Sequence, residues 1–284
     1  ATTSGIPSKV YIDIETSKRQ TIASSTVMKN FLHQNRHTFF ILDSDPQLGI
    51  TSDMTARIAA TRGFMILAKN YGYFMESENK DRLKLQINKF IEACKKYSQD
   101  KDYLDTNLTI FGFTFIVYEY VIKALMEKNI SLDLSGAKLA HIGGWKKLID
   151  RKVDPGKFKK DVHETLGILP EDIVDFYGFT EQMGIIYGES PYGYKITPTY
   201  SEIIIRDTNS LKPVPDGEEG FIQTISPIFS SYPGFSVLTE DIGRVLGRDD
   251  SKCGRLGTYF QIMGRAKEAE VRGCGDLMEE KMVI

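Results

Sequence analysis

The sequence predicts an α/β protein: a largely parallel sheet flanked by helices, with a smaller β-rich part beside it. Three observations predict this. Over the first two-thirds of the chain, short β-branched or aromatic runs alternate with helical patterns, the arrangement of βαβ units on a parallel sheet. In the last third the helical patterns stop, and short strands are separated by Gly, Pro and Asp turns. The chain has 284 residues, 41% hydrophobic and 26% charged, enough apolar material for one large core or two smaller ones.

The elements follow in order. Residues 10–14 read as a strand, with β-branched and aromatic side chains alternating after a turn. Residues 22–34 read as a helix. Residues 37–42 are a short apolar strand closed by the turn cluster Asp43-Ser44-Asp45-Pro46. Residues 51–70 have helical spacing, with Met54, Ile58 and Met65 on one side, and 71–75 read as a strand. Residues 81–97 read as an amphipathic helix, with Leu83, Leu85, Ile87, Phe90, Ile91 and Cys94 set among charges. A strand at 107–111 leads to Gly112, which opens an apolar helix running to about Lys128. A strand at 138–142 ends at Gly143-Gly144, a helix covers 157–166, and a strand at 173–176 runs into Tyr177-Gly178-Phe179-Thr180-Glu181. Short strands at 201–206, 220–224 and 244–246 complete the pattern. The expected division is an α/β core over 1–200, a β-rich subdomain over 201–263, and a hinge with a short tail over 264–284.

Composition narrows the function classes. The net charge is -2 and the pI about 6.2, without the basic face that nucleic-acid binding requires. The longest apolar stretch, 110–118, is far short of the roughly twenty residues of a membrane span. The first twenty residues carry Asp13, Glu15, Lys18 and Arg19 and do not read as a signal peptide. A cytoplasmic protein is expected. Cys94, Cys253 and Cys274 contain no CxxC pair, which argues against a disulfide scaffold or a structural zinc site. The chain starts at Ala1, already inside its first motif, and is expected to be part of a longer protein.

Four segments carry chemistry. In Thr3-Ser4-Gly5-Ile6-Pro7-Ser8-Lys9, Gly5 permits close backbone approach, hydroxyls and N–H groups can meet phosphate oxygens, and Lys9 can pair with their charge. Gly143-Gly144 after a strand lets another group lie against the backbone. In the Tyr177 segment, Tyr177 offers an aromatic face, Thr180 a hydroxyl donor, and Glu181 a hard oxygen ligand suited to Mg²⁺. The fourth runs from Thr239-Glu240-Asp241 through Gly264-Arg265-Ala266-Lys267 to Cys274. Cys274 lies between two glycines with Arg265, Lys267 and Arg272 near in sequence, a setting that favours an accessible thiolate; Cys253 is its rival. Each segment also has a plain structural reading: a polar turn, a tight strand exit, a strand–loop–helix junction and a solvated charged run. Zinc-protease, serine-hydrolase, Walker and dinucleotide fingerprints are all missing.

The order of these segments resembles the adenylate-forming superfamily, and the cysteine near the end resembles its acyl-protein synthetase branch, the long-chain-fatty-acid–luciferin-component ligases. The resemblance covers most of the chain, from Thr2 to Gly275. It implies the large-domain architecture of that superfamily, with ATP and Mg²⁺ as cofactors. It places Thr3, Ser4, Gly5 and Lys9 at the β- and γ-phosphates, and Gly143 and Gly144 beside the adenine. Tyr177 and Gly178 would lie at the adenine face, Thr180 at the α-phosphate and Glu181 at Mg²⁺. Asp241 would meet the ribose hydroxyls, with Arg265 in the same region, and Lys267 would be the hinge residue. The activity implied is conversion of a fatty acid to acyl-AMP, acyl transfer to Cys274, and delivery to a reductase partner, as in bioluminescent systems. Three departures stand out: the first loop is shortened, Glu240 replaces the usual glycine, and only a short tail follows Gly264 where the superfamily carries a mobile C-terminal domain. The alternatives are an acyl-CoA or phenylacetate-type CoA ligase, with CoA as acceptor, and a non-catalytic nucleotide- or acyl-binding subunit.

Overall fold

The run His-Thr-Phe-Phe-Ile-Leu-Asp builds the centre of the larger sheet. In the computed structural model, which describes residues 10–47, 56–79, 82–99, 107–145 and 152–266, it becomes β1 (His37–Ser44), and all but its last residue are buried. A strand without alternation is what a sheet covered on both faces requires. Two compact units divide the described residues: 10–31 with 176–266, and 32–175.

In the second of these units, β1 pairs in parallel with β2 (Ala68–Asn79) on one side and with β4 (Leu108–Phe113) on the other. Strand β5 (Lys138–Ile142) extends the parallel set beside β4, and β3 (Arg82–Leu85) closes the far edge antiparallel to β2. With β6 (Ile173–Tyr177) the order is β3-β2-β1-β4-β5-β6. The connections carry α2 (Ala56–Phe64), α3 (Ile87–Gln99), a helix α4 over 114–127, and α5 (Pro155–Leu166). Gly112 lets β4 turn straight into α4, since a Cβ there would lie 2.9 Å from Val117 Cγ2 and 3.0 Å from Leu42 Cβ. The middle of α4 is π-helical over Val117–Ile122, and Tyr118 in that stretch donates to Asp161 Oδ2 over 2.5 Å. Lys157 reaches the same oxygen over 2.6 Å. Helix α5 begins two residues before its expected start because Asp154 caps it, accepting from Gly156 N at 2.8 Å and Lys157 N at 3.3 Å, with Pro155 in the first turn.

In the other unit, a five-stranded antiparallel sheet has the order β8-β12-β11-β10-β9. Its strands are β8 (Lys195–Ile196), β9 (Glu202–Arg206), β10 (Gly220–Ile225), β11 (Ser236–Arg248) and β12 (Thr258–Arg265). Ile203, Ile205, Ile222, Val245 and Phe260 form its core together with Tyr187 and Ile185. Burying such side chains stabilises by about 1.5–3 kcal/mol each. Helix α1 (Ile14–Phe31) packs on β7 (Tyr187–Gly188), where a Cβ on Gly188 would lie 2.7 Å from the Phe31 ring.

Several elements differ from expectation. Residues 10–13 form no strand; Asp13 instead accepts from Thr16 N at 2.6 Å and caps α1, which starts at Ile14 and ends before the expected 22–34 range does. Of the helix expected over 51–70, residues 51–55, Met54 among them, lie outside the described residues; the rest is α2 followed by a 3₁₀ turn, and β2 takes over from Ala68. The helix expected over 81–97 splits: Leu83 and Leu85, both buried, belong to the period-two pattern of β3, and the helix starts only at Ile87. The strand expected at 244–246 is the middle of the much longer β11. Strands β7, β8 and β12 were not expected. Among the described residues no helix is long and apolar enough to cross a membrane.

Candidate functional site

Strand β6 ends on Tyr177, which pairs with Tyr187 of β7. The Tyr177 ring packs against Phe179, Tyr187 and Phe260, with centroids 5.7, 5.8 and 6.4 Å away. Its hydroxyl donates to Asp241 Oδ2 over 2.7 Å. Burial raises the phenol well above the ordinary tyrosine range, and the neighbouring Asp241 charge raises it further, so Tyr177 stays a neutral donor.

Asp241 is placed by its own strand. Thr239 Oγ1 donates to Ile222 O at 2.9 Å and accepts from Asp241 N at 3.2 Å, which fixes the backbone just before the carboxylate. In the β11–β12 ladder Asp241 stands opposite Arg265, and the ladder slips between Ile242 and Gly243. A bulge of that kind re-aims the side chains beside it. The Arg265 guanidinium lies between two carboxylates: it donates to Glu240 Oε2 at 2.8 Å, and its Nε is 3.5 Å from Asp241 Oδ1. Glu240 therefore has a definite place as the ion partner of Arg265.

Gly178 and Phe179 lead from β6 into a 3₁₀ turn over Thr180–Gln182, with Thr180 half-buried and Glu181 exposed. Below it, Gln182 is fully buried and donates to Gly234 O at 2.7 Å and Thr224 O at 3.3 Å. Gln20 of α1 donates to the Tyr232 hydroxyl at 3.2 Å, and burial pushes that phenol up to about 12. Gln182, Tyr232 and Tyr187 were not picked out as site residues; nothing in a glutamine or tyrosine marks it as buried beneath a turn.

Gly143 and Gly144 belong to the other unit. Gly143 has φ +85°, a conformation that favours glycine, and lies at the exit of β5. One residue before β5 ends, His141 Nδ1 is 2.9 Å from Thr114 Oγ1 and 3.6 Å from Asp175 Oδ1. Trp145 is buried edge-on to Tyr118, a core role. The structure thus joins Tyr177, Asp241 and Arg265 directly and carries Thr180 and Glu181 on the turn that follows Tyr177. Thr3, Ser4, Gly5, Lys9, Lys267 and Cys274 lie outside the described residues.

The other two cysteines separate clearly. Burial pushes the Cys94 thiol up to about 12, as expected of a packed side chain. Cys253 sits in the turn between β11 and β12. Burial opposes ionisation there, but the Ser251 and Tyr194 hydroxyls, the backbone at Arg255 and the Arg255 charge together lower the thiol. Among the described residues no group of three His, Cys, Asp or Glu is arranged to hold a metal ion.

The family profile described as "Acyl-protein synthetase, LuxE" matches residues 1–283. The chain belongs to the LuxE acyl-protein synthetase family. A long-chain-fatty-acid–luciferin-component ligase of Vibrio harveyi is 31% identical to this LuxE-family chain over 139 residues, covering 49% of the chain and 35% of the relative. Its counterpart from Aliivibrio fischeri is 28% identical over 198 residues, covering 68% of the chain and 50% of the relative. The chain thus spans half or less of the curated relatives it matches. Among solved structures, an open 2-hydroxyisobutyryl-CoA ligase in complex with 2-HIB-AMP and CoA superposes with a TM-score of 0.62 at 13% identity, covering 89% of this chain and 50% of that one. ATP-bound MatB from Rhodopseudomonas palustris gives 0.53 at 10% identity, covering 87% and 44%. These likenesses establish the α/β adenylate-forming fold that the LuxE-family sequence predicted.

Proposed function

We propose that the full-length protein containing this chain activates a long-chain carboxylic acid with ATP and passes the acyl group to a cysteine. A carboxylate oxygen attacks the α-phosphorus of ATP; the P–O bond to pyrophosphate breaks, leaving acyl-AMP. A thiolate then attacks the acyl carbonyl, AMP leaves with the bonding pair, and a thioester remains. The first step replaces an oxide leaving group by AMP, and the second divides a hard transfer into two easier ones. The acyl group then goes to a reductase partner, and the protein works in the cytoplasm. The observation that carries this reading is the joined set Tyr177, Asp241 and Arg265, with Thr180 and Glu181 on the adjoining turn, in a chain of the LuxE family.

In this reading Asp241 accepts from the ribose hydroxyls while Tyr177 and Arg265 hold its carboxylate in place. The Thr180 hydroxyl donates to the α-phosphate. Mg²⁺ arrives with ATP as part of the substrate, and exposed Glu181 offers it one hard oxygen. That fits a cation that keeps most of its ligands from phosphate and water rather than from a protein cage. The roles given above to Thr3, Ser4, Gly5, Lys9, Gly143 and Gly144, and to a hinge at Gly264–Lys267, rest on the family resemblance. Cys274 is the proposed acceptor.

The test is to incubate the full-length protein with ATP, Mg²⁺ and labelled fatty acid. Label held on the protein as a thioester, kept in Cys253→Ser and lost in Cys274→Ser, is the expected result. Label that moves only to added CoA makes this a CoA ligase. The absence of ATP–pyrophosphate exchange with any fatty acid overturns the enzyme reading in favour of a binding subunit.

A further inference from the structure

We infer that Gln182 is a positioning residue for adenylation: its buried amide ties the Thr180–Glu181 turn to the antiparallel sheet, so that both side chains face the reacting phosphates in fixed geometry. The inference deepens the proposed function and rests on it.

The argument begins with an oddity in the core. Gln182 is 0% exposed. Both hydrogens of its amide are used, on Gly234 O at 2.7 Å and Thr224 O at 3.3 Å. Its Oε1, by contrast, is buried with no hydrogen-bond partner among the described residues. An amide with one half unmet is a poor filler for a core, because the unsatisfied acceptor is destabilising, whereas methionine would fill similar space without it. What the amide supplies and an apolar side chain does not is a directional tie to two carbonyls. One belongs to β10 and the other to the segment between β10 and β11.

The surroundings show that this tie sets the turn. Within the turn, Gln182 N donates to Phe179 O at 3.2 Å and Gln182 O accepts from Ile185 N at 3.1 Å, so the residue that anchors the side chain also carries the backbone bonds. Two glycines let other chain segments close on it. A Cβ on Gly234 would lie 2.9 Å from Glu181 O and 2.7 Å from the Tyr232 ring. Gly184 has φ +92°, and a Cβ there would lie 2.6 Å from Gln20 Cβ. Gln20 in turn donates to the Tyr232 hydroxyl. Residues 180–184 are thus held between α1 and the 229–234 segment, and Gln182 is the polar pin through the middle. Thr180 and Glu181 lie directly before it in sequence, so a loosened pin displaces them first. Displacements of about 1 Å at such groups slow reactions by about 10²-fold.

The experiment uses ATP–pyrophosphate exchange by the full-length protein with a long-chain fatty acid, comparing wild type, Gln182→Met and Gln182→Glu. Gln182→Met is expected to keep the wild-type melting temperature and KM for ATP, and to lose about 10²-fold in kcat. Gln182→Glu places a carboxylate against two carbonyls at neutral pH and restores one donor when protonated. Its kcat relative to wild type is therefore expected to rise toward acid pH, while that of Gln182→Met stays flat. Wild-type kcat in Gln182→Met, or losses in both variants that only track the folded fraction, overturn the positioning role and leave the adenylation reading standing. No exchange by the wild-type protein overturns that reading and this inference with it.

Discussion

Tyr177 and Asp241 lie 64 residues apart in sequence, and the phenol of one donates to the carboxylate of the other over 2.7 Å. The bond ties the end of β6 to the β11 strand and leaves Asp241 Oδ1 turned toward Arg265, whose Nε is 3.5 Å away. A carboxylate held from two sides has little freedom to rotate, which suits the ribose recognition proposed for Asp241.

Removing the phenol tests this. Tyr177→Phe keeps the ring contacts with Phe179, Tyr187 and Phe260 and deletes only the donor. Loss of a hydrogen bond to a charged, half-buried group is expected to cost about 1.5 kcal/mol in denaturant unfolding. The KM for ATP should rise about tenfold, equivalent to about 1.4 kcal/mol. Because the folded phenol titrates above its unfolded value, the stability linked to its proton is complete below the unfolded value and declines only as pH rises toward the folded one. Across neutral pH the difference between wild type and Tyr177→Phe should therefore be constant.

Arg265 gives the opposite balance of stability and function. Its side chain is 41% exposed and Glu240 is 45% exposed, so their ion pair contributes about 0–1 kcal/mol. Arg265→Ala should leave the unfolding midpoint nearly unchanged yet weaken ATP use. Arg265→Lys keeps the charge but lacks the planar fork that reaches Glu240 and Asp241 together, and should weaken ATP use nearly as much. A large fall in stability in either variant would make Arg265 a structural residue.

How much of this was legible in the sequence depends on whether the deciding interaction is local. The strand at 37–42 was readable because a run of apolar residues without breakers has few other uses. Leu83 and Leu85 misled because they lie just ahead of an amphipathic helix and were merged with it, although a spacing of two shares a face only on a strand. Residues 10–14 look like a strand in composition, but among the described residues no strand pairs with them, and Asp13 caps a helix instead. The candidate site residues Tyr177, Asp241 and Arg265 were named from the order of short motifs, and the structure brings them together. Their connection was not legible, because the Tyr177–Asp241 bond joins residues 64 apart in sequence and no local pattern encodes it. Glu240 departed from the motif, and its pairing with Arg265 is seen only in the structure; Gln182 carried no signal, since glutamine is mostly a surface residue and its type gives no hint of burial here.

Glu181 offers a cleaner separation of folding from chemistry than its neighbours. Its side chain is exposed on the 3₁₀ turn, so Glu181→Gln should change stability by less than about 0.5 kcal/mol. As the proposed Mg²⁺ ligand it should matter to phosphoryl chemistry, with kcat for ATP–pyrophosphate exchange falling by about 10²–10³-fold. A requirement for higher Mg²⁺ in Glu181→Gln would locate the defect at the metal, and equal losses of stability and rate would remove that role.

The histidine pair at the start of β1 predicts how the protein responds to acid. His33 and His37 meet edge to face, with centroids 4.7 Å apart. His33 Nε2 donates to Leu108 O at 3.2 Å, and His37 bonds Asn35 O and Thr109 Oγ1, both at 2.8 Å. Since a carbonyl only accepts, neutral His37 donates from Nδ1 to Asn35 and accepts from the Thr109 hydroxyl at Nε2. Burial lowers the titration of both rings; His33 falls to about 4, with His37 and Lys138 opposing its charge and Leu108 O and Asp172 partly offsetting them. The sign follows from linkage: below the unfolded value of 6.5 the unfolded chain takes up protons that the folded chain does not. Stability is therefore complete above pH 6.5, declines as the pH falls toward 4, and levels off below that as far as His33 is concerned. Melting temperatures measured across this range should show the decline in wild type and a shallower one in His33→Gln. A profile identical in the two proteins would show that His33 does not take part in the acid response.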